Sequence, residues 1–226
     1  MTIAVVAGAS GGVGAALVRA LREQGAFDEV VTLARTGDPA FDITDEASIA
    51  AAAQALAGRE VRLVIDATGF LHGGAFQPEK SLRQLDPEHM LHSFKVNAMG
   101  PALMMKHFLP LCPREGRFVF ATLSARVGSI NDNKLGGWHS YRASKSALNQ
   151  FMRTAAVELA RTRPHAVCVC LHPGTVDTRM SEVFAKQGLD VRPPDAAAAD
   201  LLRVIETLTP QQTGGFFDFK GDVVPF

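Results

Sequence analysis

The chain has 226 residues, 47% of them hydrophobic, which is enough for one large buried core and short of what two ordinary domains need. We therefore expect one domain over residues 1–226. Lysine and arginine total 23 and aspartate and glutamate total 23, so no broad charged surface favours nucleic acid or an anionic membrane as a partner. A small ligand, recognised by a few local groups, fits better.

Five short apolar runs rich in β-branched residues are predicted to be strands, at 2–7, 29–33, 61–67, 117–122 and 166–171. Helix-forming segments alternate with them, at 12–23, 45–57, 87–107, 141–163 and 195–207. This alternation predicts an α/β fold of the Rossmann type, with a doubly wound parallel sheet, helices on both faces and three αβα layers.

The cysteines indicate the compartment. There are three, an odd number, and Cys168 and Cys170 lie in one apolar run, where we expect them to face opposite sides of a strand and not to form a disulfide. This favours a reducing compartment. Residues 1–9 carry no basic leader and no later stretch approaches the length of a membrane span, so the expected location is the cytoplasm, with no membrane partner.

Glycines cluster directly after the first predicted strand. A chain that leaves a strand here must turn sharply, approach a pyrophosphate closely and point a helix N-terminus at its charge, and residues without a Cβ permit all three. A tight turn with no ligand is the alternative for an isolated glycine set, but the strand–turn–helix context favours dinucleotide binding. The candidate cofactor residues in this turn are Gly8, Ser10, Gly11, Gly12, Val13 and Gly14.

The second predicted strand is followed by Arg35 and Thr36, at a place where many dinucleotide sites have an acidic residue for the ribose hydroxyls. A guanidinium there can bind a 2′-phosphate through two parallel hydrogen bonds. We therefore predict NADP(H) over NAD(H) as the cofactor. The alternative interpretation of Arg35 is a solvated surface charge.

Tyr141 and Lys145 are four residues apart, which places them on one face of a predicted helix. We expect the ammonium to lower the pKa of the phenol, so that Tyr141 can act as general acid in reduction and general base in oxidation. The spacing alone also fits a structural tyrosine beside a solvated lysine. Ser124 favours catalysis, because it follows the fourth strand at the edge where parallel sheets bind ligands and could polarise a carbonyl. Asn97, taken alone, fits a buried amide bonded to backbone.

Taken in order, these motifs resemble those of the short-chain dehydrogenase/reductase family, from the first strand nearly to the C-terminus. The family's Gly-x-x-x-Gly-x-Gly motif matches the glycine turn, and its catalytic set matches Asn97, Ser124, Tyr141 and Lys145. The resemblance implies that Ser124 holds the carbonyl oxygen and that Tyr141 delivers the proton. It also implies that Lys145 anchors the ribose and tunes the phenol, and that Asn97 seats a water that links the lysine to solvent.

The resemblance implies further cofactor contacts. The family's adenine-side acid matches Asp42, which Ile43 follows, and the others implied are Ala67, Thr68, Gly69, Pro173, Gly174, Thr175, Val176 and Thr178. Runs such as Gly128-Ser-Ile and Gly214-Gly-Phe-Phe-Asp-Phe resemble the C-factor and sniffer branch of carbonyl reductases. Two positions depart from the family pattern. Ala7 stands where threonine is common, and Asp66-Ala-Thr-Gly69 replaces Asn-Asn-Ala-Gly.

These signals predict an oxidoreductase that interconverts a ketone, aldehyde or quinone with an alcohol. We hypothesise an apolar substrate pocket, although each of its residues also fits an ordinary core position: Phe70, Trp138, Met180 and Phe184.

The alternative function is a dinucleotide-binding sensor or signalling protein with little catalysis, and a sugar epimerase would need additional C-terminal length. His89 and His92 share a helix face without further ligands, so no metal site is expected. Relatives often pair, which favours a dimer or tetramer and leaves a monomer open.

Overall fold

Six parallel strands form the central sheet in the computed structural model, which describes residues 1–182 and 191–226. They are β1 (Thr2–Ala7), β2 (Glu29–Leu33), β3 (Glu60–Asp66), β4 (Phe118–Leu123), β5 (Ala166–His172) and β8 (Phe216–Asp218), and their order across the sheet is β2-β1-β3-β4-β5-β8. Two further strands, β6 (Thr175–Val176) and β7 (Val191–Arg192), pair with each other after the end of β5.

The strand order places the ligand crevice. From β1 the chain crosses to β2 on one side and then returns to pair β3 on the other side of β1. In doubly wound sheets, ligands bind at this reversal, outside the carboxyl ends of the strands. The inner strands are buried on both faces, which accounts for their nearly continuous apolar sequences.

Helices cover both faces of the sheet, so the predicted three-layer fold is confirmed. One face carries α1 (Gly12–Gln24) and α6 (Pro194–Thr207), and the other carries α2 (Glu46–Gln54), α4 (Gly100–Phe108) and α5 (His139–Ala160). The short helix α3 (Pro87–Phe94) packs against α5. Within the described ranges, no helix combines the length and the hydropathy that a membrane span requires.

The helix predicted over 87–107 is interrupted. A π-helical turn, Lys95–Met99, separates α3 from α4, and the Gly100 N–H donates to the carbonyl of Lys95, five residues back. Pro101 contributes to this interruption because it has no N–H. It cannot donate the α-helical hydrogen bond to the carbonyl of Asn97, four residues before it. Asn97 therefore lies in a local irregularity of a kind that is frequent at functional sites.

Other differences from the predicted elements are small. Helix α5 begins at His139 and ends at Ala160, α2 is confined to Glu46–Gln54, and strand limits move by about one residue. The strands β6, β7 and β8 were not predicted, because two or three residues are too few to show a periodic pattern.

The expected orientation of two cysteines is wrong. Cys168 and Cys170 both lie in the core cluster on the α5 side of the sheet, because residues two apart in a strand share a face. With Cys112 they are buried free thiols, so no disulfide forms among them.

Leu148 on α5 is fully buried against the sheet, whereas Leu91 on α3 is 72% exposed. We expect Leu148→Ala to lower the free energy of unfolding by about 2–5 kcal/mol, since the cavity adds to the lost transfer energy. Leu91→Ala should change it by less than about 0.5 kcal/mol. Urea unfolding of both variants measures this difference, and equal losses would contradict the assignment of Leu148 to the core.

Candidate active site

One face of α5 presents a row of buried polar side chains to the carboxyl end of β4. Tyr141, Lys145 and Asn149 are spaced four residues apart and are all buried. The Lys145 Nζ donates to the Leu123 carbonyl at 2.7 Å, and the Ser124 hydroxyl donates to Asn149 Oδ1 at 2.7 Å. These two bonds join the helix to the last residues of the strand.

The Asn97 amide connects the π-helical turn to the same cluster. Its Oδ1 accepts from the Phe70 N–H at 2.8 Å, and its Nδ2 donates to the Phe70 carbonyl at 2.7 Å and to the Ser144 hydroxyl at 3.1 Å. Ser144 in turn donates to the carbonyl of Tyr141 at 2.9 Å. The structure thus brings together all four predicted catalytic residues, Asn97, Ser124, Tyr141 and Lys145.

The loop after β3 passes directly beside this cluster. A Cβ placed on Gly69 would lie 3.7 Å from Asn97 Oδ1, 3.8 Å from Lys145 Nζ and 3.4 Å from Met180 Cε. A larger residue here would occupy the space in front of the lysine and the asparagine. Glycine at 69 leaves that space open.

Burial raises the pKa of Tyr141, so the direction expected from the sequence is wrong. The phenol is shielded from water, which disfavours its charged form. The Lys145 ammonium lies 5.9 Å from the centre of the tyrosine ring and gives a hydrogen bond to the Leu123 carbonyl. Tyr141 therefore keeps its proton at neutral pH.

Burial has the opposite effect on Lys145, lowering its pKa to about 8, while the charge of Asp66 opposes this shift. Asp66 is itself fully buried at the end of β3. Its Oδ1 accepts from the N–H and hydroxyl of Thr68, and its Oδ2 accepts from the Thr122 hydroxyl at 2.8 Å. The departure from the family pattern at position 66 thus places a fully bonded carboxylate beneath the site.

The glycine turn is shaped for close approach to an anion. Gly11 and Gly12 are exposed at the start of α1, which has no side-chain cap and no acidic residue in its first turn. A Cβ on Gly12 would lie 2.6 Å from the Thr178 methyl carbon, and one on Gly14 would overlap the Gly8 carbonyl oxygen. Ser10 is exposed in the same turn, and Val13 is half-buried. These features fit a dinucleotide pyrophosphate.

The residues predicted for the adenosine side lie after β2. Arg35 and Thr36 are exposed, and the glycine turn is tied to this point because the N–H groups of Gly8 and Ala9 donate to the Leu33 carbonyl. Asp42 accepts from the N–H and the hydroxyl of Thr44, both at 2.8 Å. These bonds, and to a smaller extent the charge of Arg35, lower the pKa of Asp42. Ile43 is buried in the core beneath.

The remaining predicted cofactor residues lie at the carboxyl ends of β3 and β5. Ala67, Thr68 and Gly69 follow β3, and backbone atoms of Ala67 and Thr68 come within 2.8–3.0 Å of a Cβ placed on Gly8. Pro173 and Gly174 connect β5 to β6, which consists of Thr175 and Val176, and Thr178 lies over Gly12. The glycine turn, the loop after β3 and Thr178 therefore lie close together at the carboxyl ends of the strands.

The hypothesised pocket residues have mixed placements. The ring centres of Trp138 and Tyr141 lie 6.3 Å apart. The Met180 Cε would lie 3.4 Å from a Cβ placed on Gly69. Phe70 packs edge-on against His92, with ring centres 4.4 Å apart, so it forms part of an aromatic cluster with α3. Phe184 lies outside the described residues. Within residues 1–182 and 191–226, no three His, Cys, Asp or Glu side chains are grouped to hold a metal ion.

The sequence did not predict Asn149 and Ser144 as polar residues of the site, and it marked Asp66 only as a departure from the family pattern. Asn149 could have been found, because it repeats the four-residue spacing of Tyr141 and Lys145. Ser144 carried no comparable signal, since its partner Asn97 is distant in the chain, and the bond between Asp66 and Thr122 joins residues that are also distant.

The chain is similar in sequence or fold to several known proteins. Residues 7–207 match the family model described as Enoyl-(Acyl carrier protein) reductase. The chain is 36% identical to C-signal of Myxococcus xanthus over 65% of this chain and 84% of that protein. It is 30% identical to 1-hydroxy-2-glutathionyl-2-methyl-3-butene dehydrogenase of Rhodococcus sp. strain AD45, over 96% of both chains. The crystal structure of NADPH-bound carbonyl reductase from chicken fatty liver superposes with a TM-score of 0.84, at 25% identity over 100% of this chain and 98% of that one.

The lowered pKa of Lys145 predicts a pH dependence of stability. From about pH 8 to 10.5 the unfolded chain holds the lysine proton and the folded chain releases it, so this residue adds stability as the pH rises. We expect the free energy of unfolding of wild type, measured with urea, to rise relative to that of Lys145→Met as the pH increases from about 7 to 10. Lys106→Met, at an exposed lysine on α4, serves as the control and should run parallel to wild type. Parallel curves for Lys145→Met would refute the shift.

Proposed function

The chain belongs to the short-chain dehydrogenase/reductase family, and we propose that it is an NADPH-dependent carbonyl reductase in which Tyr141 protonates the carbonyl oxygen. The buried cluster of Asn97, Ser124, Tyr141 and Lys145 at the carboxyl edge of the sheet carries this proposal. The proteins similar to it include the Rhodococcus dehydrogenase and the NADPH-bound carbonyl reductase from chicken fatty liver.

Tyr141 supplies the proton. Burial keeps the phenol protonated at neutral pH, which is the form that can donate to a developing alkoxide. Oxidation requires the phenolate, which this environment disfavours.

Ser124 and Lys145 provide the polar surroundings of the reacting oxygen. Asn149 holds the Ser124 hydroxyl at the crevice, and this hydroxyl turns its hydrogen to the carbonyl oxygen when a substrate binds. Lys145, with a pKa of about 8, remains mostly charged near neutral pH and favours negative charge on the phenol and on the substrate oxygen. Asn97 bonds the backbone of Phe70 in the loop after β3 and the Ser144 hydroxyl of α5. It therefore fixes this loop relative to the helix that carries Tyr141.

A bound nicotinamide cofactor supplies the hydride in this chemistry. The uncapped start of α1 would hold the pyrophosphate, with Thr178 beside Gly12, and Lys145 would anchor the ribose. Arg35 binds the 2′-phosphate of NADPH, and Asp42, held by Thr44, borders the adenine. The other predicted cofactor residues follow the carboxyl ends of the strands, with Ile43 and Val176 buried among them: Thr36, Ile43, Ala67, Thr68, Gly69, Pro173, Gly174, Thr175 and Val176.

The setting proposed for this activity is the cytoplasm, where thiols stay reduced. Cys112, Cys168 and Cys170 are free in the structure. The partner is a small carbonyl compound or alcohol, and a homo-oligomer is the proposed assembly.

The first test is a panel of ketones, aldehydes and quinones assayed with NADPH, followed by Tyr141→Phe on the best substrate. The variant lacks the proton donor, so we expect kcat to fall roughly 10²–10⁴-fold. NADPH binding, followed by fluorescence, should be retained. Wild-type turnover that survives in Tyr141→Phe would refute the role of this residue, and no turnover on the whole panel would refute the proposed activity.

The second test concerns cofactor choice. Arg35→Ala removes the charged donors for the 2′-phosphate, so we expect the Kd for NADPH to rise about 10–100-fold, as for loss of a hydrogen bond to a charged group. The Kd for NADH should stay unchanged. Arg161→Ala, at an exposed arginine after α5, is the matched control. A wild type that binds NADH more tightly than NADPH would contradict the assignment.

A further inference from the structure

Helix α5, which carries Tyr141, begins in an unusual way. Gly136, Gly137 and Trp138 have φ values of 65°, 65° and 52°, so three successive residues in the left-handed region lead into the helix. Trp138 is the residue at the cap position, and its indole has no acceptor atom that could bind the first free N–H groups of the helix. The start of the helix therefore depends on another residue for its cap.

Glu79 supplies this cap from 61 residues earlier in the chain. Its two carboxylate oxygens accept from the Ser140 N–H, each at 3.3 Å, and Oε1 also accepts from the Ser140 hydroxyl. The Glu79 carbonyl accepts from the Trp138 N–H. One residue thus holds both the cap position and the second residue of α5, and a carboxylate suits the positive end of the helix dipole.

The surroundings of Glu79 fix its side chain. It is 2% exposed, and His89 Nδ1 of α3 lies 3.4 Å from its Oε1. The His89 ring stacks on Phe76, with ring centres 5.0 Å apart and planes within 7°. The carboxylate is therefore held from α3 on one side and bonded to α5 on the other.

We propose that Glu79 is a positioning residue for carbonyl reduction, which caps α5 and sets the position of the turn that carries Tyr141. The proposal rests on the role proposed above for Tyr141, the residue that follows Ser140. Loss of the carboxylate leaves two buried Ser140 donors without acceptors, so the first turn shifts to regain them. Proton transfer tolerates such shifts poorly, since about 1 Å of misplacement can cost about 10²-fold in rate.

The test compares Glu79→Ala with Glu79→Gln, which keeps an acceptor oxygen in the same place. We expect kcat to fall roughly 10–10²-fold in Glu79→Ala, with the Kd for NADPH retained and the solvent deuterium isotope effect increased. Glu79→Gln should recover most of kcat. Ile49→Ala, at a core residue on the buried face of α2, is the control for lost stability and should leave the isotope effect unchanged.

A second measurement does not depend on turnover. Trp138 is the single tryptophan of the chain, and its emission maximum and acrylamide quenching report the start of α5 directly. Both should change in Glu79→Ala and stay near wild type in Glu79→Gln and Ile49→Ala. If Glu79→Ala does not fold, Glu79→Asp takes the place of the alanine variant in both measurements. Its shorter side chain moves the carboxylate away from Ser140.

Unchanged emission and isotope effect in Glu79→Ala would overturn the positioning role, as would equal losses in the Ala and Gln variants. An inactive wild type would overturn the proposed activity instead, and the emission of Trp138 would still decide whether Glu79 holds the helix.

Discussion

The bond from the Lys145 ammonium to the Leu123 carbonyl joins the helix that carries the phenol to the strand that Ser124 follows. It is buried and charge-assisted, and the Ser124–Asn149 bond lies beside it. Together they set the spacing between two elements that come from separate parts of the chain. A shift of α5 along β4 would break both bonds, which is why the polar groups of the site keep one arrangement.

Burial then determines how these groups behave. It raises the pKa of Tyr141 and lowers that of Lys145, so each group is pushed toward its neutral form. The Asp66 carboxylate opposes the shift of the lysine, and three bonds from Thr68 and Thr122 keep that carboxylate in place. The balance of charge in the site thus depends on a residue at the end of β3 as well as on the helix pair.

The site is also positioned from elements that do not carry reacting groups. Asn97 reaches the cluster because a π-helical turn interrupts the chain between α3 and α4. Glu79 reaches the start of α5 from the loop that precedes α3. The side chains of both residues form hydrogen bonds with backbone groups that would otherwise lack partners. The positions of the site residues therefore depend on how these buried polar groups are bonded.

The sequence alone determined the layers of the fold and the family, since apolar runs, glycine spacing and the Tyr141–Lys145 pair are local patterns that act over a few residues. It predicted the wrong direction for the pKa of Tyr141 and a continuous helix through Asn97. Only the tertiary structure decided these points and revealed Glu79 and the bonds of Asp66, because burial and hydrogen bonds between residues 27 to 61 positions apart depend on how distant segments pack.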